Sequence, residues 1–220
     1  ELDPDLRLFE GAQYTQADRD NFGLFMDSAP DRWGRVLMKR REKQRAKDEQ
    51  RPIRELNESD FLLGVFDGNR LGALRFKAEP DGPFLDDDSL FASPPWASLR
   101  ELENASLQLE KEGAEDDPAF KTWLQILMAP GASLGGARPK ATVVYPDGRL
   151  WMAKFPSRSD GEDKGGWEAV AHSLAVKAGI EMAPATALSF SGKNHTFLTR
   201  RFDRTEKGER IHFASAMTLL

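Results

Sequence analysis

The chain has 220 residues, 31 Lys or Arg against 36 Asp or Glu, a net charge of −5 and no cysteine. That length suits one large domain or two small ones with a real apolar core, and the missing cysteines exclude a disulfide frame and cysteine-bound zinc. Mild acidity argues against the whole chain coating nucleic acid, and no apolar run reaches the roughly 20 residues a bilayer crossing needs, so the chain reads as soluble and cytoplasmic with no membrane partner.

Residues 1–27 hold scattered apolar positions without a clean period, begin without methionine, and read as a cut start. From Pro30 the spacing of Trp33, Val36, Leu37 and Arg40 predicts a helix to about Lys47. Its later half carries Lys39, Arg40, Arg41, Lys43, Arg45 and Lys47. These could touch an acidic partner or nucleic acid, but a solvated helix end with cations favoured by the dipole is the preferred reading. Asn57 or Ser59 can cap a short turn before the apolar run at 60–66. Asp67-Gly68-Asn69 then reverses the chain into 71–76, which predicts a hairpin. Asp86, Asp87 and Asp88 lie in a Pro- and Asp-rich stretch that reads as a solvated loop rather than a cation site.

Amphipathic helices are predicted over 96–111, with Leu99, Leu102, Ala105, Leu107 and Leu109 as the apolar stripe, and from Pro118 to Pro130-Gly131. Gly-Ala-Glu-Asp-Asp-Pro at 113–118 reads as a linker between two subdomains, 1–115 and 116–220.

The second helix delivers a glycine-rich turn with Gly131, Gly135 and Gly136, able to wrap an anion with uncovered backbone N–H groups. Two apolar runs follow, 141–145 and 150–155, joined by the hairpin signal Pro146-Asp147-Gly148. In the second run Leu150, Met152 and Lys154 share a face. A glycine turn, a hairpin and a strand lysine are also how protein kinases hold nucleotide phosphates. A Walker loop is excluded, because Ala137 and Arg138 stand where it needs Lys and Ser or Thr, and no G-x-G-x-x-G occurs, so neither a standard kinase loop nor a dinucleotide fingerprint is present.

Trp167, Val170, Ala171, Leu174, Ala175 and Ala178 repeat at helical spacing up to Gly179, a good C-cap. Glu168 in the first turn is either an ion-pair partner for Lys154 or an acid favoured by the helix dipole. His172 reads as a surface or core-edge histidine. Strands over 185–190 and 195–201 should pair antiparallel about the turn at 191–194, and the second ends in Arg200-Arg201-Phe202-Asp203-Arg204, a charged strand exit in a lobe of five strands and one helix. Residues 211–220 are apolar again and read as an unfinished core element.

The runs SAPDRWGR at 28–35, LGALRF at 71–76, SLGGARPKA at 133–141, LWMAKFPS at 150–157, WEAVAHSLAVKAGI at 167–180 and RRFDR at 200–204, in this order, resemble the HipA family of toxin kinases. The resemblance implies an α+β chain: a mixed N-terminal subdomain followed by a protein-kinase-like small lobe of antiparallel sheet plus one helix, with the helical large lobe missing from this chain. It implies a serine/threonine kinase toxin of a toxin–antitoxin system that uses ATP and Mg²⁺ and phosphorylates a translation-related protein of the aminoacyl-tRNA synthetase class and itself. Lys154 matches the catalytic strand lysine at the ATP phosphates. Gly135, Gly136, Met152, Arg200 and Phe202 match further ATP-binding positions, with Glu168 a possible lysine partner. Ser133 matches the autophosphorylated serine, and the family's partner is a helix-turn-helix antitoxin of the HipB type that binds DNA.

The family's catalytic Asp loop and metal-binding Asp have no counterpart in these residues, so no metal ligand is expected here, and this stretch alone is expected to be catalytically inactive. The alternative is a non-catalytic binding module that engages an antitoxin and, through it, DNA.

Overall fold

The computed structural model describes residues 3–7, 9–15, 19–85, 98–131, 136–190 and 192–220. Seven helices and four strands are formed among them: α1 (Gly23–Ser28), α2 (Arg32–Asp48), α3 (Glu58–Leu63), α4 (Leu99–Leu109), α5 (Phe120–Gly131), β1 (Lys140–Val144), β2 (Leu150–Lys154), α6 (Lys164–Lys177), β3 (Ala185–Leu188), β4 (Thr196–Arg200) and α7 (Ala216–Leu219). The strands make one antiparallel sheet in the order β1-β2-β4-β3. The lobe therefore has four strands among the described residues, where five were expected.

The β1–β2 hairpin follows from its turn. Gly148 takes φ +80° and donates its N–H to Tyr145 O at 2.8 Å, while Tyr145 N–H donates to Arg149 O at 2.9 Å. This is a three-residue loop closed by a left-handed glycine, and it sets Lys140 opposite Lys154 and Thr142 opposite Met152.

One face of the sheet is dry. Ala141, Val143, Trp151, Ala153, Phe155 and Leu198 join a buried cluster with Leu124, Leu127 and Met128 of α5, Leu99, Leu102 and Leu109 of α4, and Trp33, Leu37 and Met38 of α2. The opposite face carries Lys140, Thr142, Met152 and Lys154, and α6 lies against β3 and β4.

The hairpin expected over residues 60–76 is not formed. Residues 58–63 are helix α3, nucleated by a capping box in which Asn57 accepts from Asp60 N–H at 3.0 Å and Asp60 returns the bond to Asn57 N–H at 2.9 Å. That local helix start prevails over the apolar run. Phe61, Leu62 and Val65 then point inward at helical spacing, and a short 3-10 turn at Asp67–Asn69 follows. The acidic triplet at 86–88 lies outside the described residues.

Helix α6 is stopped by a Schellman motif, with Gly179 at φ +81°, Gly179 N–H on Val176 O and Ile180 N–H on Ala175 O, both at 3.0 Å. It starts at Asp163, whose Oδ1 accepts from Gly166 N–H at 3.0 Å and from His195 N–H at 2.8 Å, so one side chain caps the helix and holds the entry to β4. Most of its apolar side chains stay in the open, Trp167 at 63% exposure and Leu174 at 59%. Gly165 explains how close the helix comes to the sheet: a Cβ there would meet the His195 carbonyl oxygen at 1.9 Å. Gly165→Ala should therefore force backbone apart and lower stability by about 1 to 3 kcal/mol. A urea melt of the two proteins measures this.

Candidate functional site

Strand pairing puts two lysines side by side. Lys140 opens β1 and Lys154 closes β2, directly across from each other. Like charges so placed repel, and each is held by acids from other elements. The Lys154 ammonium donates to Glu168 Oε2 on α6 at 2.5 Å and stands 5.6 Å from the centre of the Phe197 ring. About a third of each side chain of that ion pair is open to solvent.

Lys140 is buried, at 2% exposure. Its pKa is pushed down to about 8, first by burial and then by the charge of Lys154, against the opposing pull of Asp31 and Glu168.

Above this pair sits the exit of the glycine turn. Gly136 has φ +95°, and a Cβ added to it would stand 2.6 Å from Lys140 Nζ, so the ammonium lies in the space a side chain would take. The backbone is held from the N-terminal half of the chain. Gly136 N–H donates to the Asp31 carboxylate, Trp33 N–H donates to Gly136 O at 3.1 Å, and the Trp33 indole N–H donates to Lys140 O at 3.1 Å. Arg138 makes a two-pronged ion pair with Asp160, tying the turn to the loop after β2. That loop is anchored in turn by Glu110, the C-cap of α4, which accepts from Ser157 Oγ at 2.9 Å and Arg158 N–H at 2.7 Å.

Two ammonium groups, a left-handed glycine and a nearby acid form a chemistry suited to polyphosphate: cations to neutralise charge and a backbone with no side chain in the way. Met152 lies on the same face as Lys154, two pair positions further along, opposite Thr142 and Thr199. Arg200 ends β4 about 10 Å along the strand from Phe197, the partner of Lys154. It points away to Glu206 at 3.2 Å, while Phe202 is exposed and packs edge-on against Phe213 at 5.1 Å. Gly135 and Ser133 lie outside the described residues.

His172 bonds the Ala183 carbonyl at 2.8 Å, between α6 and β3. Among the described residues no group of three or more His, Cys, Asp or Glu is placed to hold a metal ion, and no helix is long and apolar enough to cross a membrane.

The charged strand exit turns inward. Arg201 and Asp203 are buried, and Arg204 nearly so. Arg201 donates to Asn69 O at 2.8 Å and Arg70 O at 3.1 Å, while Asp203 accepts from Gly72 N–H at 2.8 Å. This segment is the joint between the sheet and residues 67–75, because the backbone carbonyls of that turn need donors and Arg201 and Arg204 supply them.

The basic residues of α2 are partly engaged within the chain. Arg40 donates to Leu109 O at 2.6 Å and Lys43 pairs with Glu115 at 3.4 Å. A cavity of about 400 Å³ lies against its Arg41 and Arg45, with Arg54, Glu42 and Asp60 among its walls.

Sequence reasoning missed Lys140, Asp31 and Trp33. The signal for Lys140 was available, since residues equally distant from Asp147 face each other in a hairpin centred there. Nothing local marked Asp31 or Trp33.

No curated protein and no solved structure matches the chain significantly. Residues 132–220 do match a family model, described as the HipA-like C-terminal domain. That match covers most of the glycine turn, the whole sheet and α6, so residues 132–220 are similar to the HipA-like C-terminal domain.

Proposed function

We propose that the Lys140–Lys154–Glu168 row beside Gly136 is a nucleotide phosphate site, and that the chain is part of an ATP-dependent serine/threonine kinase toxin. The observation that carries this reading is the ion pair between Lys154 of β2 and Glu168 of α6 at 2.5 Å. Such a strand-lysine and helix-glutamate pair fixes an ammonium where it can meet phosphate oxygens. ATP would bring the transferable phosphoryl group and Mg²⁺ would travel with its phosphates. The residues present would bind and orient: Lys154 and Lys140 neutralise charge, Gly136 gives close approach, Met152 lines the base side, and the backbone near Arg200 and Phe202 reads the base.

On this reading Ser133 is the self-modified serine. The protein target is of the aminoacyl-tRNA synthetase class, and the partner is a HipB-type helix-turn-helix antitoxin that brings DNA.

Titration calorimetry with Mg-ATP tests it. Lys154→Ala should keep the fold, since the ammonium is part-exposed, and lose about 10- to 100-fold in affinity, the worth of a charge-assisted hydrogen bond. A folded wild-type protein that takes up no Mg-ATP, or a variant that binds it equally well, sinks the reading.

A further inference from the structure

The glycine turn is not held by its own lobe alone. Both hydrogen-bonding groups of Gly136 are engaged by the tip of α2, the N–H by Asp31 and the carbonyl by Trp33, and Trp33 reaches on to the carbonyl of Lys140. With its N–H and C=O both taken, the Gly136 peptide cannot rotate away from φ +95° without breaking contacts to a helix more than 100 residues earlier. Trp33 is 4% exposed and packed in the core, so the tip of α2 is a fixed support. The Asp31 carboxylate has a second task, accepting Arg32 N–H at 2.7 Å as the cap of α2.

We propose that Asp31 and Trp33 are positioning residues of the nucleotide site: they clamp the exit of the glycine turn so that Gly136, with no side chain in the way, and the Lys140 ammonium are in place before phosphate arrives. The proposal rests on the phosphate reading of the Lys140–Lys154 row. Preorganisation is the physical gain. A turn rich in glycine loses much backbone freedom on binding, and a clamp made during folding removes that loss from the binding step. Burial pushes the Asp31 carboxyl up, but the Gly136 and Arg32 N–H groups and the charges of Lys140 and Arg32 outweigh it, so the group stays ionised at neutral pH.

Three substitutions separate the clamp from the cap. Asp31→Asn retains both a good cap and an oxygen for Gly136. Asp31→Ser retains the cap with a side chain too short to cross to the turn, and Asp31→Ala removes both. Amide exchange without ligand and Mg-ADP affinity are measured on each, with helix content checked by circular dichroism and Lys154→Ala alongside.

The expected result is faster exchange at Gly136 and about 5- to 10-fold weaker Mg-ADP binding in Asp31→Ser and Asp31→Ala, with both largely restored in Asp31→Asn. Wild-type affinity in Asp31→Ser, with Lys154→Ala impaired, overturns the clamp and leaves the phosphate site standing. Tighter binding in Asp31→Ala also overturns it, making the carboxylate a competitor of phosphate. No Mg-ADP binding by the wild-type protein removes the phosphate reading and the clamp's purpose with it.

Discussion

Replacing Asp203 by alanine is expected to destabilise the protein by about 3 to 5 kcal/mol, the usual consequence of leaving buried charge without its partner. Asp203 is fully buried and accepts four bonds: Arg201 Nε at 2.8 Å, Arg201 Nη2 at 2.6 Å, Arg204 Nη1 at 2.6 Å and Gly72 N–H at 2.8 Å. Removing it strands two guanidiniums in a region where Arg204 is already pushed down to about 10, by burial first and then by Arg201. Asp203→Asn keeps one acceptor and should fall between the two.

The pH dependence has a defined sign. Burial pushes the Asp203 carboxyl up, but Arg201, Arg204 and the Gly72 N–H overcome it and hold the group below the usual carboxylate range. A depressed folded pKa contributes stability that is complete above the unfolded value of about 4 and is lost as pH falls through the folded one. Urea melts at pH 7 and 5 should therefore show the same gap between wild type and Asp203→Ala, with the gap closing below about pH 4. A gap under 1 kcal/mol at pH 7 would mean the joint is not held by this carboxylate.

Lys140→Met should act in opposite directions on stability and binding. The ammonium is buried and its pKa lies at about 8 against an ordinary 10.5. The folded state thus binds its proton less readily than the unfolded chain, which at neutral pH amounts to a penalty of about 3 kcal/mol. That penalty is present in full below pH 8 and fades as pH rises toward 10.5. Methionine fills similar space without charge, so the variant should be more stable at pH 7 by about 1 to 3 kcal/mol. On the proposed reading its Mg-ATP affinity should drop about 10- to 100-fold, because one of two charges offered to phosphate would be gone. Wild-type affinity should also decline between pH 7.5 and 9 as Lys140 loses its proton, and the variant should lack that decline. A variant both less stable and fully binding would show that Lys140 is a structural lysine.

If both outcomes are observed, the trade is that of a functional site, in which a group weakens the fold and is kept for what it binds. The row of Lys140 and Lys154 is uncomfortable for a sheet, and the acids Asp31 and Glu168 come from two separate helices to make it tolerable.

The local chemistry of the chain was enough to place α2, α4, α5, α6 and the hairpins β1–β2 and β3–β4. Each is written in short-range terms: Gly179 at the end of α6, Pro146-Asp147-Gly148 between strands, and apolar spacing in the helices. The same short-range reading failed at residues 60–76, where an apolar run bounded by turn residues fits strand and helix alike and the Asn57–Asp60 capping box decided for helix. Alternation along β2 was also sufficient to put Met152 and Lys154 on one face.

Long-range contact decided the rest. Asp31 meets Gly136 across 105 positions and Arg201 meets Asn69 across 132, and no spacing rule reaches that far. The burial of Asp203 was likewise invisible, because a charged run reads as solvated until the backbone carbonyls that need its arginines are brought beside it. Composition and period specify which segments become helix or strand, since those depend on neighbours within a few residues. Which charges are buried, and what they hold, depends on where the chain returns to itself.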